Sequence, residues 1–391
     1  MREHHSHILI FEPRVEGHHL SWLQYITEDF LDSGFKVTWA TDIRPETKAH
    51  LLKEMSGLVD RVDILPVFDR SGKWTMGSKV RTMTACLQKS GARGVFLPNL
   101  DEIASRILRF ALIGIFPPAI LKGKISGVYH RPRWLAYPKW PLTNLVKTTG
   151  FHRLRVRGWF RHIYLLDEYL LKALKDQYTG HLFHPIPDPG VGDFSYPQAE
   201  ARQFLGIPAE KFLFLTYGIP ARRKGLHVVV RAMLEEPLQP RLFLLSAGRN
   251  DRRGDVVNGL EELRSRGAAA VMDRYISDYE EKLCFCACDA VLLPYIHHFG
   301  SSAILARAAA ASKMVIASDE GLIARRVRDH HLGWLFPTEK SDELRKCLER
   351  AAQLKPSEMA RFREATATYA LSCSREAFRD ALLAPYKNDK S

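Results

Sequence analysis

Two groups of residues in the second half of the chain have the types and spacing to hold a diphosphate. The first is Tyr217-Gly-Ile-Pro-Ala-Arg-Arg-Lys-Gly-Leu-His, where Gly218 permits a tight turn and Arg222, Arg223 and Lys224 crowd the start of a helix. Three cations at a helix N-terminus oppose its dipole, so helix stability does not account for them. A diphosphate does, because arginine grips phosphate in a fork and lysine adds a point charge. The second group is Gly300-Ser301-Ser302, a small-residue turn between an apolar strand-like run and an alanine-rich helix. Such a turn presents backbone N–H groups to an anion, with the helix dipole behind them. The alanines thin the helix for packing against a sheet and have a structural explanation.

Other candidates follow other strand-like runs. After the first run comes Glu12-Pro-Arg-Val-Glu-Gly-His-His-Leu, in which Gly17 allows close backbone approach and His18 or His19 can donate to a phosphate. The pattern GxGxxG is absent there, which counts against a nicotinamide-linked dehydrogenase. Asn99 and Asp101 follow the run 94–97, and His130-Arg-Pro-Arg follows 125–129. A histidine in that position suits orientation of a sugar hydroxyl or acid–base work, and equally a structural role. Ser246-Ala-Gly-Arg-Asn and Asp273-Arg-Tyr-Ile-Ser-Asp close two later runs, and the second can hold a nucleobase through Tyr275 and backbone groups around Ile276.

The elements that must position these residues alternate regularly. Apolar runs at 7–11, 36–39, 62–67, 94–97, 125–129 and 163–166, then at 212–217, 241–245, 269–272, 290–293, 314–317 and 333–336, are separated by helix-like segments. That alternation predicts parallel sheets covered on both faces, hence an α/β protein of two Rossmann-like domains. The chain of 391 residues is long enough for two cores. Ile186-Pro-Asp-Pro-Gly-Val-Gly excludes regular structure and is read as the linker. The expected domains are 1–185, 186–365 and a C-terminal helical segment 366–391 that crosses back to the first. The amphipathic stretch 357–383, with Phe362, Tyr369, Phe378 and Leu382 as anchors, reads as one long helix.

Charge is uneven. The net charge is +13, and residues 103–166 contain twelve Lys or Arg and no Asp or Glu, interleaved with Trp134, Tyr137, Trp140, Trp159 and Tyr164. A basic surface with interfacial aromatics suits an anionic membrane or a lipid-phosphate acceptor. Arg131, Arg133, Trp134 and Trp140 are the expected acceptor or membrane face. No helix-turn-helix, zinc-finger or RNP pattern accompanies the charge, so nucleic acid is not expected as a partner. The longest apolar segment, 108–121, carries two prolines and is too short to span a bilayer. No leader pattern opens the sequence, and the expected location is the cytosol, peripheral to the membrane if bound to it. The six cysteines lack paired CxxC spacing, which predicts reduced thiols and no metal.

Taken in order, the Pro/Gly linker, Gly218 with Arg223-Lys224-Gly225, and the unit from Gly300 to Gly321 resemble the GT-B glycosyltransferases of family 4, most strongly over 186–337. The resemblance implies two Rossmann-like domains facing each other across a cleft and transfer from a nucleoside diphosphate-sugar, generally with retention and without a bound metal. It implies that Arg223 and Lys224 hold the diphosphate, that Gly300 to Ser302 approach the phosphates or sugar, that the loop around Tyr275 holds the base, and that Gly17 and its histidines face donor phosphate or acceptor. His130 corresponds to a first-domain histidine of such enzymes. The family usually has two glutamates eight residues apart, and here those positions carry Phe299, beside His297 and His298, and Arg307. Arg307 cannot accept hydrogen bonds from ribose hydroxyls. The expected activity is a retaining hexosyltransferase acting on a glycan or lipid-linked acceptor in cell-surface polysaccharide synthesis, with no cofactor beyond the nucleotide-sugar substrate. The alternatives are a sugar-nucleotide epimerase, for which the second domain's strand-end loops supply only Asp273, Asp278, Asp319 and Glu320, and a non-catalytic nucleotide-sugar or glycan binder.

Overall fold

The computed structural model describes residues 6–136, 141–177, 181–218, 221–237, 239–249 and 252–388. Tyr137 and Trp140 lie outside them. The chain forms two units, Met1–Ile186 with Phe378–Ser391, and Pro187–Ala377.

In the first unit, β1 (His7–Phe11), β2 (Lys36–Thr41), β3 (Asp63–Pro66), β4 (Gly94–Leu97), β5 (Ile125–Tyr129), β6 (Phe160–Leu165) and β7 (Phe183–Pro185) make one parallel sheet. Its order is β3-β2-β1-β4-β5-β6-β7. The sequence reading expects only six strands here. The seventh is three residues ending in Pro185, too short to show a period, and is paired by register with Ile163 to Leu165.

In the second unit, β8 (Phe212–Tyr217), β9 (Leu242–Ala247), β10 (Ala269–Met272), β11 (Ala290–Leu293), β12 (Met314–Ser318) and β13 (Gly333–Phe336) form a parallel sheet ordered β10-β9-β8-β11-β12-β13. Each sheet separates two hydrophobic cores, because successive side chains of a strand point to opposite faces. Ile8 and Ile10 pack with Trp22, Phe30 and Trp39, whereas Leu9 and Phe11 pack with Leu97, Ile107 and Leu108. Met314 and Ile316 likewise face one core of the second unit, Val315 and Ala317 the other.

Strand order reverses between β1 and β4 and again between β8 and β11. In an open parallel sheet the carboxyl ends of the strands at such a reversal frame a crevice for ligands. The loops that carry the candidate residues follow these strands.

The expected long helix over 357–383 is two helices, Pro356–Ser372 and Arg375–Asn388. Cys373 leaves helical geometry at φ −124°, and Ser374 Oγ accepts the Ala377 N–H at 3.1 Å, restarting the helix. Tyr369 belongs to a core of the second unit, and Phe378, Leu382 and Tyr386 belong to a core of the first, where Tyr164 Oη donates to Leu382 O at 2.6 Å.

Trp134 is 2% exposed, with its indole N–H on Tyr129 Oη, and Trp159 and Tyr164 are buried as well. The reading of these aromatics as a membrane-facing belt is corrected: they fill cores of the first unit. All six cysteines are free thiols, and burial pushes Cys284 and Cys288 up to about 12, which keeps them unreactive. Among the described residues no helix is long and apolar enough to cross a membrane.

Candidate functional site

The loops after β8 and β11 meet at the strand reversal of the second unit. Arg222–Lys224 form a single 3-10 turn, and Gly225 caps the helix Leu226–Leu234 at φ 71°. A Cβ on Gly225 would stand 1.8 Å from Pro294 O at the end of β11, so only glycine lets the two loops close. The Ile296 N–H donates to Arg223 O at 2.8 Å and ties them together.

Side chains complete the contact. Lys224 Nζ donates to Tyr295 Oη at 2.7 Å and stands 3.9 Å from the centre of that ring. Tyr295 Oη lies 3.4 Å from Ser302 Oγ. His298 Nε2 donates to Ser301 O at 3.0 Å, which leaves Nδ1 of the neutral ring to accept from Arg223 Nη1 at 3.3 Å. Buried Arg326, from the helix Gly321–Asp329, donates to Ser301 Oγ at 2.5 Å. The two motifs read separately in the sequence are thus one cluster: Arg223, Lys224 and Arg326 surround Ser301 and Ser302, where the helix Ala303–Ala310 begins. Three cations and a helix N-terminus make this edge electropositive and rich in donors.

A carboxylate borders the cluster. His297 adopts φ 49°, its N–H donates to Glu320 Oε2 at 2.9 Å, and its Nδ1 lies 3.3 Å from Glu320 Oε1. Phe299 is partly exposed beside it. Arg307 extends to a second carboxylate, with Nε 2.6 Å from Glu281 Oε1 on the helix Asp278–Ala287. Burial and then Glu281 push the Tyr217 phenol up, so it stays protonated and donates to Glu281. Arg222 and Gly218 lie at the same strand edge, Arg222 exposed. Tyr275 is 76% exposed, whereas the Ile276 side chain is buried in a core and only its backbone remains at the loop.

The first unit gathers a second cluster where β1, β4 and β5 end. Gly17 starts the helix His18–Asp32 at φ 52°. Glu12, 2% exposed, holds His19 Nδ1 at 3.1 Å, and His19 Nε2 lies 3.4 Å from Arg14 Nη1. Partial burial, then His19, His130 and Arg131, lower His18 to about 4, leaving a neutral imidazole at pH 7. Asp101, at the start of the helix Asp101–Leu112, accepts the N–H groups of His130 at 2.7 Å and Arg131 at 3.0 Å. Burial raises its pKa. His130 Nε2 donates to Pro98 O at 2.8 Å and its ring packs edge-on against Trp22, so Nδ1 is the acceptor of the neutral ring. Arg131 and Arg133 are exposed.

The sequence reading gave no role to Tyr295, Arg326, Glu281, Glu12 or the Asp101 carboxylate. Strand-end position alone marks Tyr295 and Glu12. Glu320 was weighed only as an epimerase carboxylate.

Residues 197–369 match the family described as Glycosyl transferases group 1. The matched residues all lie in the second unit. No curated protein matches the sequence. Among solved structures, sucrose-phosphate synthase (tll1590) from Thermosynechococcus elongatus aligns with TM-score 0.71 at 15% identity, over 98% of this chain and 99% of that one. Anabaena Alr3699/HepE in complex with UDP and glucose aligns with TM-score 0.69 at 16% identity, over 98% and 100%. WaaG, a glycosyltransferase involved in lipopolysaccharide biosynthesis, aligns with TM-score 0.65 at 16% identity, over 98% of each chain. At these identities the likeness is one of fold, and the chain has the fold of GT-B glycosyltransferases. Arg223, Lys224, Tyr295, Ser301, Ser302 and Arg326 all fall within the matched residues.

Proposed function

We propose that the protein transfers a hexose-type sugar from a nucleoside diphosphate donor to a glycan or lipid-linked acceptor, with retention and without a metal cofactor. The observation that carries this reading is the convergence of Arg223, Lys224 and Arg326 on the Ser301–Ser302 helix start through Tyr295 and His298. Loss of a nucleoside diphosphate places negative charge on the departing β-phosphate, and preorganised cations and N–H donors at that point lower the barrier. Lys224 is already oriented by Tyr295, so less ordering accompanies phosphate binding.

In this reading Glu320 supports the donor sugar through His297, with His298 and Phe299 beside it. Glu281 holds Arg307 near the ribose, and the loop at Tyr275 takes the base. Gly218 and Gly300 give the backbone approach to the phosphates, and Gly17 frees the backbone at the start of the first unit's histidine helix. His130, fixed by Asp101 and Pro98, orients donor or acceptor hydroxyls, and neutral His18 with His19 assists. Arg131 and Arg133 line the acceptor side. UDP-sugars are the first donors to test, because HepE was solved with UDP.

The test is incubation with UDP-, GDP- and ADP-sugars, following sugar release to water and transfer to added glycans by mass spectrometry, with the anomer of the new bond read by NMR. Release of one sugar with α-configured product from an α-linked donor is expected. Tight nucleotide binding with neither hydrolysis nor transfer would favour the non-catalytic binder, which Phe299 and Arg307 support. An inverted product would overturn retention.

A further inference from the structure

We infer that the first unit carries a docking face for an anionic lipid bilayer, formed by the helices Asp101–Leu112 and Leu142–Val156 and the segment between 113 and 116. The burial of Trp134 removes the face expected from the sequence, and a different surface takes its place.

The exposed residues of the helix Leu142–Val156 are Leu142, Thr143, Leu145, Thr149, His152, Arg153 and Val156, and of these only Arg153 carries a fixed charge. A surface helix ordinarily turns its charged residues outward. At the carboxyl end of the neighbouring helix Phe110, Ile113 and Ile115 stand out at 41%, 68% and 54% exposure, and Val156 at 63%. The two helix ends are joined by Arg153, whose Nη1 donates to Leu112 O at 2.6 Å. Ile113, Ile115 and Val156 therefore share one end of the helix pair. Isolated exposed apolar residues need no explanation, but a contiguous group of aliphatic side chains does.

The surroundings identify what covers it. Cations stand against the apolar groups: Arg157 lies 4.6 Å from the centre of the Phe116 ring, and Arg106 lies 5.8 Å from that of Phe110. Arg109, Lys122 and Arg153 are exposed around them. Residues 103–166 contain no Asp or Glu. A second copy of the chain meeting this face symmetrically would oppose like charges, which disfavours pairing. A nucleic acid would satisfy the cations but leave Ile113 and Ile115 against phosphate and sugar. A bilayer with anionic headgroups meets both demands, because aliphatic side chains enter the acyl boundary while Arg and Lys stay at headgroup level. Each cation near an anionic surface strengthens partition by about fivefold. This face lies in the first unit and the donor cluster in the second, so vesicle binding is read independently of transferase activity.

Flotation of the full chain with phosphatidylcholine vesicles, with and without phosphatidylglycerol, tests it. Binding only to the anionic vesicles is expected, weakening as salt rises. Ile113→Glu with Ile115→Glu should lower partition by about tenfold or more at unchanged melting temperature, while Leu371→Glu on the second unit leaves it unchanged. Ile115→Trp should give a blue-shifted emission on anionic vesicles. Equal binding to neutral vesicles, wild-type partition by the Ile113→Glu/Ile115→Glu double variant, or no binding at all would overturn the proposal. A dimer by sedimentation velocity that the double variant dissolves, or duplex DNA binding that it abolishes, would assign the face to those partners instead.

Discussion

Lys224 shows how a single side chain is committed before any ligand arrives. It donates to the Tyr295 hydroxyl and lies over the same ring, so its ammonium is held at the Ser302 turn. Hydrogen bonds to charged groups contribute about 1.5–3 kcal/mol each, so Arg223→Ala should raise the Kd for a nucleoside diphosphate by roughly 10- to 100-fold in calorimetric titration. Tyr295→Phe should cost less, because it loosens Lys224 without removing its charge. Unchanged affinity in Arg223→Ala would take this cluster out of the diphosphate site. His130 makes a different prediction, since it is positioned by Asp101 and Pro98 rather than by a phosphate contact. His130→Ala should lower turnover by about 10²-fold or more while nucleotide affinity stays within a factor of two or so. Equal losses in both would mark it as a donor-binding residue.

At the scale of elements, Gly225 is the closest approach in the second unit's site, with φ 71° and Pro294 O where a Cβ would be. Left-handed strain of about 1–2 kcal/mol and overpacking of about 1–3 kcal/mol should make Gly225→Ala destabilising by roughly 2–5 kcal/mol in urea unfolding. In the first unit the helix Arg375–Asn388 supplies fully buried Phe378, and Phe378→Ala should cost about 3–5 kcal/mol. The adjoining strand pair is sensitive to acid. Burial, then His162, lowers His184 to about 4, and the two rings meet at 3.1 Å. The folded state therefore binds fewer protons than the unfolded chain between about pH 4 and 6.5, so this stability is present above pH 6.5 and is lost as pH falls through that window. Allowing for solvent screening it amounts to roughly 1–2 kcal/mol, and His184→Gln should flatten the pH dependence of unfolding by that amount. The strands were legible in the sequence because parallel strands buried on both faces are continuous apolar runs, as in Met314–Ser318. Strand β7 was not, because three residues carry no period. The Arg222–Lys224 and Gly300–Ser302 motifs stood out separately in the sequence, since cations at a helix start violate a local preference. Their joining was not, because Tyr295, Arg326 and Glu281 act over long sequence separations, and the break at Cys373 leaves no Pro or Gly to announce it.

At the scale of the molecule, each unit has its own sheet and its own pair of cores, and the cluster of Arg223, Lys224 and Arg326 at the Ser301–Ser302 turn belongs wholly to the second. A ligand that binds only the folded second unit stabilises that unit by mass action, by about 2.7 kcal/mol at a hundred times its Kd. Differential scanning calorimetry with UDP or another nucleoside diphosphate should therefore raise the transition that Gly225→Ala lowers, while the transition lowered by Phe378→Ala moves less. The net charge of +13 supplies the control, because any polyanion will bind such a chain weakly. Heparin at matched charge should shift the melting far less than the nucleotide, and its effect should vanish at high salt, where exposed charges are screened over about 10 Å or less. A shift that is the same for nucleotide and heparin, or that survives Arg223→Ala combined with Lys224→Ala, would reduce the cluster to a basic patch. A nucleotide-selective shift confined to the second unit and abolished by that pair would establish the Ser301–Ser302 turn as a diphosphate site, whatever sugar the donor carries.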